Sequence, residues 1–394
     1  MAMTRAGLPI LLLASGLAAS ATAQTNVFLD YTNFETRLGE AFSSAGLSAP
    51  TATESAGVRS SLETRLRSIY SGYTVNFSTT APSSGDFERI VFGLTDTPGS
   101  YGLADRIDWR NANKNDVARV YTANFKDFLS SSLSRTENLQ RISNSLSRTA
   151  AHEFGHNIGL AHYDTYGYYG LNSRQGYVAT GSTQNRYFMG TGSTNASVTD
   201  RVTYAEINPL MGAKLAFADG ISPNLGLTIP EPVEVNDTLL SASPLSFGAI
   251  AMSDRIGVNV AGALTAGDSD YYSFETFQGA AITANILATT VALPGAGSLD
   301  TILTLYDAAG NQLFQNDDIS FSGNTFNGGS AYGNDSIVLN YIAPQNGRYY
   351  VRVSGYNTTT NGAYNLLVTP VPEPATMAAL GLGALALLRR RRRA

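Results

Sequence analysis

The 394-residue sequence contains no cysteine and only three histidines. The absence of cysteine excludes a disulfide framework and any inhibition that depends on a thiol. Basic residues are scarce in the second half: residues 229–370 hold twelve Asp or Glu against three Arg and no Lys, whereas residues 24–228 hold 17 basic and 18 acidic residues. Nucleic-acid binding needs clustered Lys and Arg in the folded part, so we expect no nucleic-acid partner. The acidic half is better suited to holding a cation.

The N-terminal segment is typical of secretion. Arg5 precedes an apolar run that ends in the small residues Ala21, Thr22 and Ala23. This pattern predicts a signal peptide over residues 1–23 that is cleaved before Gln24. The alternative is a buried N-terminal helix, although the small residues at its end fit cleavage better.

The C-terminal segment, residues 371–394, also indicates export. It combines Pro372-Glu373-Pro374, about fourteen small or apolar residues and the arginines at 389–393. The apolar run is short for a membrane span, and the arginines would stay on the cytoplasmic side. The segment resembles the PEP-CTERM sorting signal of Gram-negative bacteria. That resemblance implies transient membrane association, removal by an exosortase-type sorting enzyme, and delivery to the cell surface or extracellular matrix; an ordinary tail anchor is the alternative.

Between these two segments the pattern of the sequence changes near residue 220. Residues 24–221 combine a helical period over 58–73 with strand-like runs, which predicts an α+β domain with a mixed sheet packed by helices. The strand-like runs lie at 27–32, 73–79, 88–95 and 116–125. Residues 222–233 are rich in Pro and turn formers, as expected of a linker. Residues 234–370 consist of short alternating runs separated by Gly, Asn and Asp, which predicts an all-β sandwich.

All three histidines lie in one short stretch, AHEFGHNIGLAH, at residues 151–162. Apolar residues at helical spacing over 135–159 predict a helix that runs into this stretch. Positions i and i+4 of a helix share a face, so His152 and His156 can bind one ion. Gly159 is free to adopt a positive φ, which lets the chain turn and bring His162 back as a third ligand.

Three neutral imidazoles leave one position of a tetrahedral zinc open for water, which is the arrangement of a catalytic site. Zinc lowers the pKa of its bound water towards about 7 and polarises a neighbouring carbonyl. Glu153 lies beside the first ligand and would take the water's proton during attack, then deliver it to the departing amine. The spacing therefore predicts peptide hydrolysis by Glu-assisted attack of zinc-bound water.

The extended motif His-Glu-x-x-His-x-x-Gly-x-x-His resembles that of the metzincin metalloproteases. The resemblance implies a metzincin-like catalytic domain over 24–221, with a methionine turn beneath the metal. The matching methionine is Met189 in YFMGTG; Met211 is a rival, although it lies in a predicted helix that in this family follows the turn. Ordinary core packing is the alternative role for Met189.

Two departures from the metzincin pattern leave the subfamily open. Some members place a tyrosine ligand two residues after the methionine, where this chain has Thr191, and Tyr163 after the third histidine matches no subfamily marker. Asp164 either braces the histidine loop by hydrogen bonds or is solvated. Because a strand-like run begins almost directly after Gln24, we expect an enzyme that needs no N-terminal pro-segment removed.

The second domain resembles bacterial pre-peptidase C-terminal (PPC) domains through short motifs such as GDSDYYSFET and GRYYVRVSGY, over about 229–369. Related modules hold calcium with acidic residues near the linker and an early strand, and oxygen ligands are those that calcium prefers. The alternative is that these side chains only form turns. The calcium ligands that the resemblance implies are Glu234, Asn236, Asp237, Asp268 and Asp270.

Two classes of function follow. The first is a secreted, surface-sorted zinc endopeptidase that acts on a protein or peptide substrate. The second is a matrix or adhesion protein whose sandwich binds polymer or protein and whose protease domain is inactive. Glu153 favours the enzyme, because an inactive domain would be free to lose the general base.

Overall fold

The computed structural model describes residues 24–95, 99–166, 183–190, 196–231, 235–250, 255–288, 299–317, 320–321, 324–325 and 335–370. The predicted signal peptide and sorting segment lie outside the described residues, as do Thr191 and Glu234. No helix within the described ranges is both long enough and apolar enough to cross a membrane.

The N-terminal part is a mixed α/β unit. Its helices are α1 (Phe34–Ser44), α2 (Ala52–Ile69), α3 (Arg135–Asn157), α4 (Val198–Thr203) and α5 (Pro209–Leu215), and short 3-10 turns cover Trp109–Asn111, Thr122–Phe128, His162–Tyr166 and Thr183–Arg186. Its strands are β1 (Thr25–Asp30), β2 (Val75–Ser78), β3 (Glu88–Val91), β4 (Gly102–Ala104) and β5 (Val117–Val120). They form one sheet in the order β2-β1-β3-β5-β4. All neighbours are parallel except β4, which pairs antiparallel with β5 and forms an edge.

Helix α3 carries the histidine stretch, and its start and burial follow from its sequence. Ser134 accepts the backbone N–H of Glu137 while the Glu137 carboxylate accepts the N–H of Ser134, a capping box that satisfies two helix-end donors. The apolar residues at helical spacing, including Ile142, Leu146 and Phe154, are fully buried in the core shared with the sheet and α2. The predicted helix over 135–159 is thus confirmed to Asn157.

One predicted strand is partly wrong. The run at 116–125 forms β5 only to Val120, and the chain then enters the 3-10 turn Thr122–Phe128. Phe125 and Phe128 are both buried, so this segment fills the core with a spacing of three, which belongs to a helical turn and not to strand alternation.

The C-terminal part is rich in β-structure. Its strands are β6 (Thr228–Pro230), β7 (Ser243–Pro244), β8 (Gly248–Ala249), β9 (Ile256–Leu264), β10 (Ser269–Thr276), β11 (Ala281–Ala288), β12 (Thr301–Tyr306), β13 (Gln312–Asn316), β14 (Ser320–Phe321), β15 (Asn324–Thr325), β16 (Ile337–Ile342), β17 (Gly347–Gly355) and β18 (Gly362–Val368). One sheet has the order β13-β12-β17-β10-β7 and the other β16-β11-β18-β9-β6, with β8 paired to β9 and a separate β14-β15 pair. Apolar residues of both sheets share one core.

Several elements were not among the predicted segments. Helix α1 and strand β9 belong to this group, and β6 lies within residues 222–233, where a linker is predicted. Strand β6 pairs in parallel with β9, so part of that segment is joined to the sheet.

Candidate metal centre

The three histidines converge on one point. The Nε2 atoms of His152 and His156 each lie 3.1 Å from Nε2 of His162. Among the described residues, these three form a group whose candidate ligand atoms all lie within 4.8 Å of one another. Zinc–nitrogen distances of about 2.0–2.1 Å at tetrahedral angles give nitrogen separations of about 3.3 Å, so this arrangement fits one zinc ion.

The outer nitrogens of two histidines are held by backbone carbonyls. Nδ1 of His152 donates to the carbonyl oxygen of Phe188 at 2.9 Å, and Nδ1 of His156 donates to that of Leu160 at 2.7 Å. A proton on Nδ1 leaves the Nε2 lone pair directed at the common point. Burial lowers the pKa of His156 to about 4 and that of His162 to about 3, so both rings are neutral near pH 7 and competent to bind a metal.

The turn after α3 returns His162 to the helix. The N–H of Leu160 donates to the carbonyl of Gly155 at 2.8 Å, and Gly159 has a φ of +101°, which favours glycine. A Cβ at this position would also lie 3.2 Å from the Trp109 ring. Gly159 therefore has the backbone conformation that the sequence predicts for it.

Glu153 lies beside the edge strand β4. Its carboxylate accepts a hydrogen bond from the backbone N–H of Ala104, and burial raises its pKa to about 8. A Cβ at Gly102 would lie 2.6 Å from Cγ of Glu153, so β4 approaches the carboxylate closely because residue 102 has no side chain. The edge strand was not predicted from the sequence; its only local signal is a glycine in a short segment.

Met189 packs under α3. A Cβ at Gly155 would lie 2.9 Å from Sδ of Met189 and 2.9 Å from the Phe188 ring, so this helical glycine makes room for the methionine segment. Met211, the rival candidate, is buried in α5.

Arg148 is a residue that sequence reasoning missed. It lies one turn before His152 on α3, is 2 % exposed, and donates to the carbonyls of Tyr187 at 2.8 Å and Gly190 at 3.1 Å. It also donates to three further carbonyl oxygens, those of Asn185, Asp200 and Tyr204. These bonds hold the segment whose Phe188 carbonyl orients His152. Arg141, Asn144 and Ser145 are polar on the same helix face, so the local sequence carried no signal for this role of Arg148.

Asp164 braces the histidine loop. It is fully buried, and its Oδ2 accepts the N–H of Ala161 at 2.7 Å and an ion pair from Lys214 at 2.9 Å. The side chain of Lys214 is only 1 % exposed, so both members of this ion pair are buried. The structure thus resolves the alternative left open by the sequence in favour of hydrogen bonding.

The residues predicted to bind calcium are only partly brought together. Asn236 and Asp270 are buried next to Glu231: Asn236 Nδ2 donates to Glu231 Oε1 at 3.2 Å, and Tyr272 and Tyr364 link Glu231 to Asp270 through hydrogen bonds of 2.6–2.7 Å. Asp268 is half-buried and accepts N–H groups of its own turn, and Asp237 is exposed. Glu231 was not among the predicted ligands, since it lies within the predicted linker.

Comparison with known protein families identifies two segments of the chain. Residues 370–393 match the PEP-CTERM protein-sorting motif, and residues 268–355 match the bacterial pre-peptidase C-terminal domain. These matches confirm both C-terminal resemblances. The chain is an exported, surface-associated bacterial protein.

A curated relative and two solved structures resemble parts of the chain. A probable subtilase-type serine protease of Deinococcus radiodurans is 33 % identical over 127 residues, which is 32 % of this chain and 14 % of that protein. The pre-peptidase C-terminal domain of a Bacillus anthracis collagenase is 20 % identical, with a TM-score of 0.22, over 32 % of this chain and 93 % of that one. The lysozyme inhibitor PliG of Aeromonas hydrophila is 14 % identical, with a TM-score of 0.23, over 33 % of this chain and 95 % of that one.

Proposed function

We propose that this protein is a zinc-dependent endopeptidase of the metzincin type, carried to the bacterial surface by its sorting motif. The observation that supports this most strongly is the meeting of three Nε2 atoms at one point, with the Nδ1 atoms of His152 and His156 held by backbone carbonyls. When bound, zinc would supply a Lewis acid that polarises a peptide carbonyl and lowers the pKa of water.

The protein's own residues supply the remaining chemistry. Glu153 accepts a proton from the attacking water on its carboxylate and donates that proton to the amine nitrogen as the C–N bond breaks. Its burial beside β4 keeps bulk water from competing for the proton. Strand β4 is an edge of its sheet with Leu103 53 % exposed, so an extended peptide can pair with it near Glu153.

The resemblance to a subtilase-type serine protease raises a second type of peptidase. A serine mechanism of that type needs a histidine as general base for the serine hydroxyl. The whole sequence has three histidines, and all of them meet at one point. The histidine arrangement therefore favours metal-dependent hydrolysis over the serine type.

The test compares the zinc-loaded full chain with Glu153→Gln on casein. We expect kcat to fall by about a thousandfold with zinc content unchanged, because glutamine cannot transfer the proton. Chelation should abolish activity and zinc should restore it, while Glu40→Gln, on the remote helix α1, should leave activity unchanged. Equal cleavage by wild type, Glu153→Gln and chelated protein would end the proposal; a zinc-loaded chain that is inactive in every form would favour the matrix-binding function.

We also propose a calcium site in the C-terminal domain, with Asp270, Asn236 and Glu231 as ligands. Asp270 Oδ1 and Asn236 Oδ1 are buried without hydrogen-bond partners, and burial raises the pKa of Asp270 to about 8. A bound calcium ion would accept both oxygens as ligands and would stabilise the ionised carboxylate. Calcium should raise the Tm of the full chain by at least about 3 °C. Asp270→Asn should remove this effect, whereas Asp307→Asn, in an exposed turn, should retain it; a Tm that calcium leaves unchanged in the wild type contradicts the site.

A further inference from the structure

The C-terminal sheet with the order β16-β11-β18-β9-β6, to which β8 adds a sixth strand, is buried on its core face and over part of its outer face. Strand β11 is buried at every position, so its side chains that point away from the sandwich core are covered as well. Six outward-facing side chains of this sheet are at most 6 % exposed: Asn259, Asn285, Leu287, Ile337, Leu339 and Leu367. Ala261 and Ala363 on the same face are exposed, so the cover extends over part of the face. Strand β17 in the opposite sheet alternates between buried and accessible positions, which is typical of a sandwich face in contact with water.

Residues of the N-terminal part that lie beside the candidate metal centre cover this outer face of the sheet. Ala161, Tyr163 and Leu210 pack with Ile337 and Leu339 of β16. A second contact joins residues after the histidine loop to the same face of the sheet: Ala213, Ala216 and Phe217 pack with Ile250 and Leu367. The apolar contact between the two parts is therefore continuous with the segment that carries His162.

Polar groups complete this contact. The hydroxyl of Tyr163 donates to Oδ1 of Asn285 on β11 at 3.0 Å, and Lys214 Nζ lies 3.3 Å from the same hydroxyl and 2.9 Å from Asp164 Oδ2. All four side chains are buried. Ala161 and Tyr163 face the sandwich, whereas His162 between them faces the other two histidines.

We propose that the sandwich positions the third metal ligand. Asn285, through Tyr163, fixes the loop on which His162 is carried, so the C-terminal domain is a structural part of the metal centre and not only an accessory for binding substrate. Asn285 and Tyr163 are positioning residues: neither touches the metal point, and both act through the backbone of residue 162. The inference rests on the proposed metal site but not on peptidase activity.

The experiment measures zinc affinity of the full chain by competition with a chelator, together with the visible spectrum of the cobalt form. Asn285→Leu keeps the number and branching of the side-chain heavy atoms and removes the acceptor, and we expect it to weaken zinc binding about tenfold, as for other residues that orient metal ligands. The control is Asn259→Leu, because Asn259 is equally buried on the same sheet face and bonds to Asn365 of the neighbouring strand β18 at 3.0 Å. It should leave the zinc dissociation constant within about twofold.

Tyr163→Phe deletes a single oxygen atom and keeps the test valid if Asn285→Leu fails to fold. If the two residues act through one hydrogen bond, the double variant Tyr163→Phe/Asn285→Leu should lose no more zinc affinity than the single variant that loses more. Unchanged zinc affinity and cobalt spectrum in Tyr163→Phe, or equal losses in Asn285→Leu and Asn259→Leu, would overturn the inference. A chain that binds zinc and shows these effects without cleaving peptides would refute the proposed function alone, and a wild type that binds no zinc would refute both.

Discussion

At the scale of single residues, the buried carboxyl of Glu88 makes the stability of the folded chain depend on pH. It begins β3 and is fully buried, and the side chain of Asn157 is a polar neighbour of its carboxylate. Burial raises its pKa to about 9, with a further contribution from the nearby charges of Asp116 and Asp108. At neutral pH this group is therefore protonated in the folded protein and ionised in the unfolded chain, whose glutamates titrate near 4.3.

This difference predicts a dependence of stability on pH. Because the folded state holds a proton that the unfolded state has lost, the free energy of unfolding falls as pH rises from about 4.5 to about 9, by up to about 1.4 kcal/mol per pH unit. Glu88→Gln should flatten this decline and stabilise the protein above pH 8, as measured by urea unfolding at pH 6 and pH 9. Glu35→Gln, at an exposed position of α1, should keep the wild-type slope; an unchanged slope in Glu88→Gln contradicts the prediction.

At the scale of elements, helix α3 and edge strand β4 meet at Glu153. The helix presents the carboxylate, and the strand approaches so closely that residue 102 has no space for a side chain. Two elements that are distant in sequence thereby fix the position of the proposed general base. Small displacements of a reacting group are costly to catalysis, because the reaction depends on its alignment with substrate.

Gly102→Ala tests this contact. The added methyl must displace either Glu153 or β4, and we expect kcat to fall by about tenfold to a hundredfold while zinc content and Tm change little. Gly57→Ala on helix α2 is the matched control, since a Cβ added there meets no atom within 4 Å, and it should leave kcat unchanged. Wild-type kcat in Gly102→Ala would show that β4 does not constrain the base.

At the scale of the whole molecule, the two parts share an apolar contact that resembles a core. Phe217 is fully buried at this contact, and Trp109 packs against it with ring centroids 6.3 Å apart. Trp109 is the chain's single tryptophan, so its fluorescence reports on this contact. Chains of two domains commonly unfold in separate steps, but an extensive apolar interface couples the steps.

We therefore expect the full chain to unfold in one cooperative transition. The denaturation curves from Trp109 fluorescence and from far-UV circular dichroism should coincide. Phe217→Ala should cost about 3–5 kcal/mol and separate the curves, because it opens a cavity at the contact. Separate transitions in the wild type would show that the parts fold independently.

Much of the local structure could be predicted from the sequence, because short-range patterns determine it. The helical period over 135–159 gave α3, and the spacing of His152, Glu153 and His156 placed them within one turn. Features that depend on contacts between distant segments could not be predicted. Arg148 holds carbonyls 37 to 56 residues away, and Glu231 approaches Asp270 from a segment that has the composition of a linker.

The sequence by itself determined the export and sorting segments and the spacing of the candidate ligands His152 and His156 along one helix, and it predicted the return of His162 through Gly159, since these depend on the order of nearby residues. Only the tertiary structure decided that β4 lies against Glu153, that Arg148 holds the segment of Phe188 and that the sandwich covers the back of the histidine loop. These contacts form because burial of apolar surface brings distant segments together. The alternation of residues along a strand shows which positions share a face, but it does not show which segment will pack on that face.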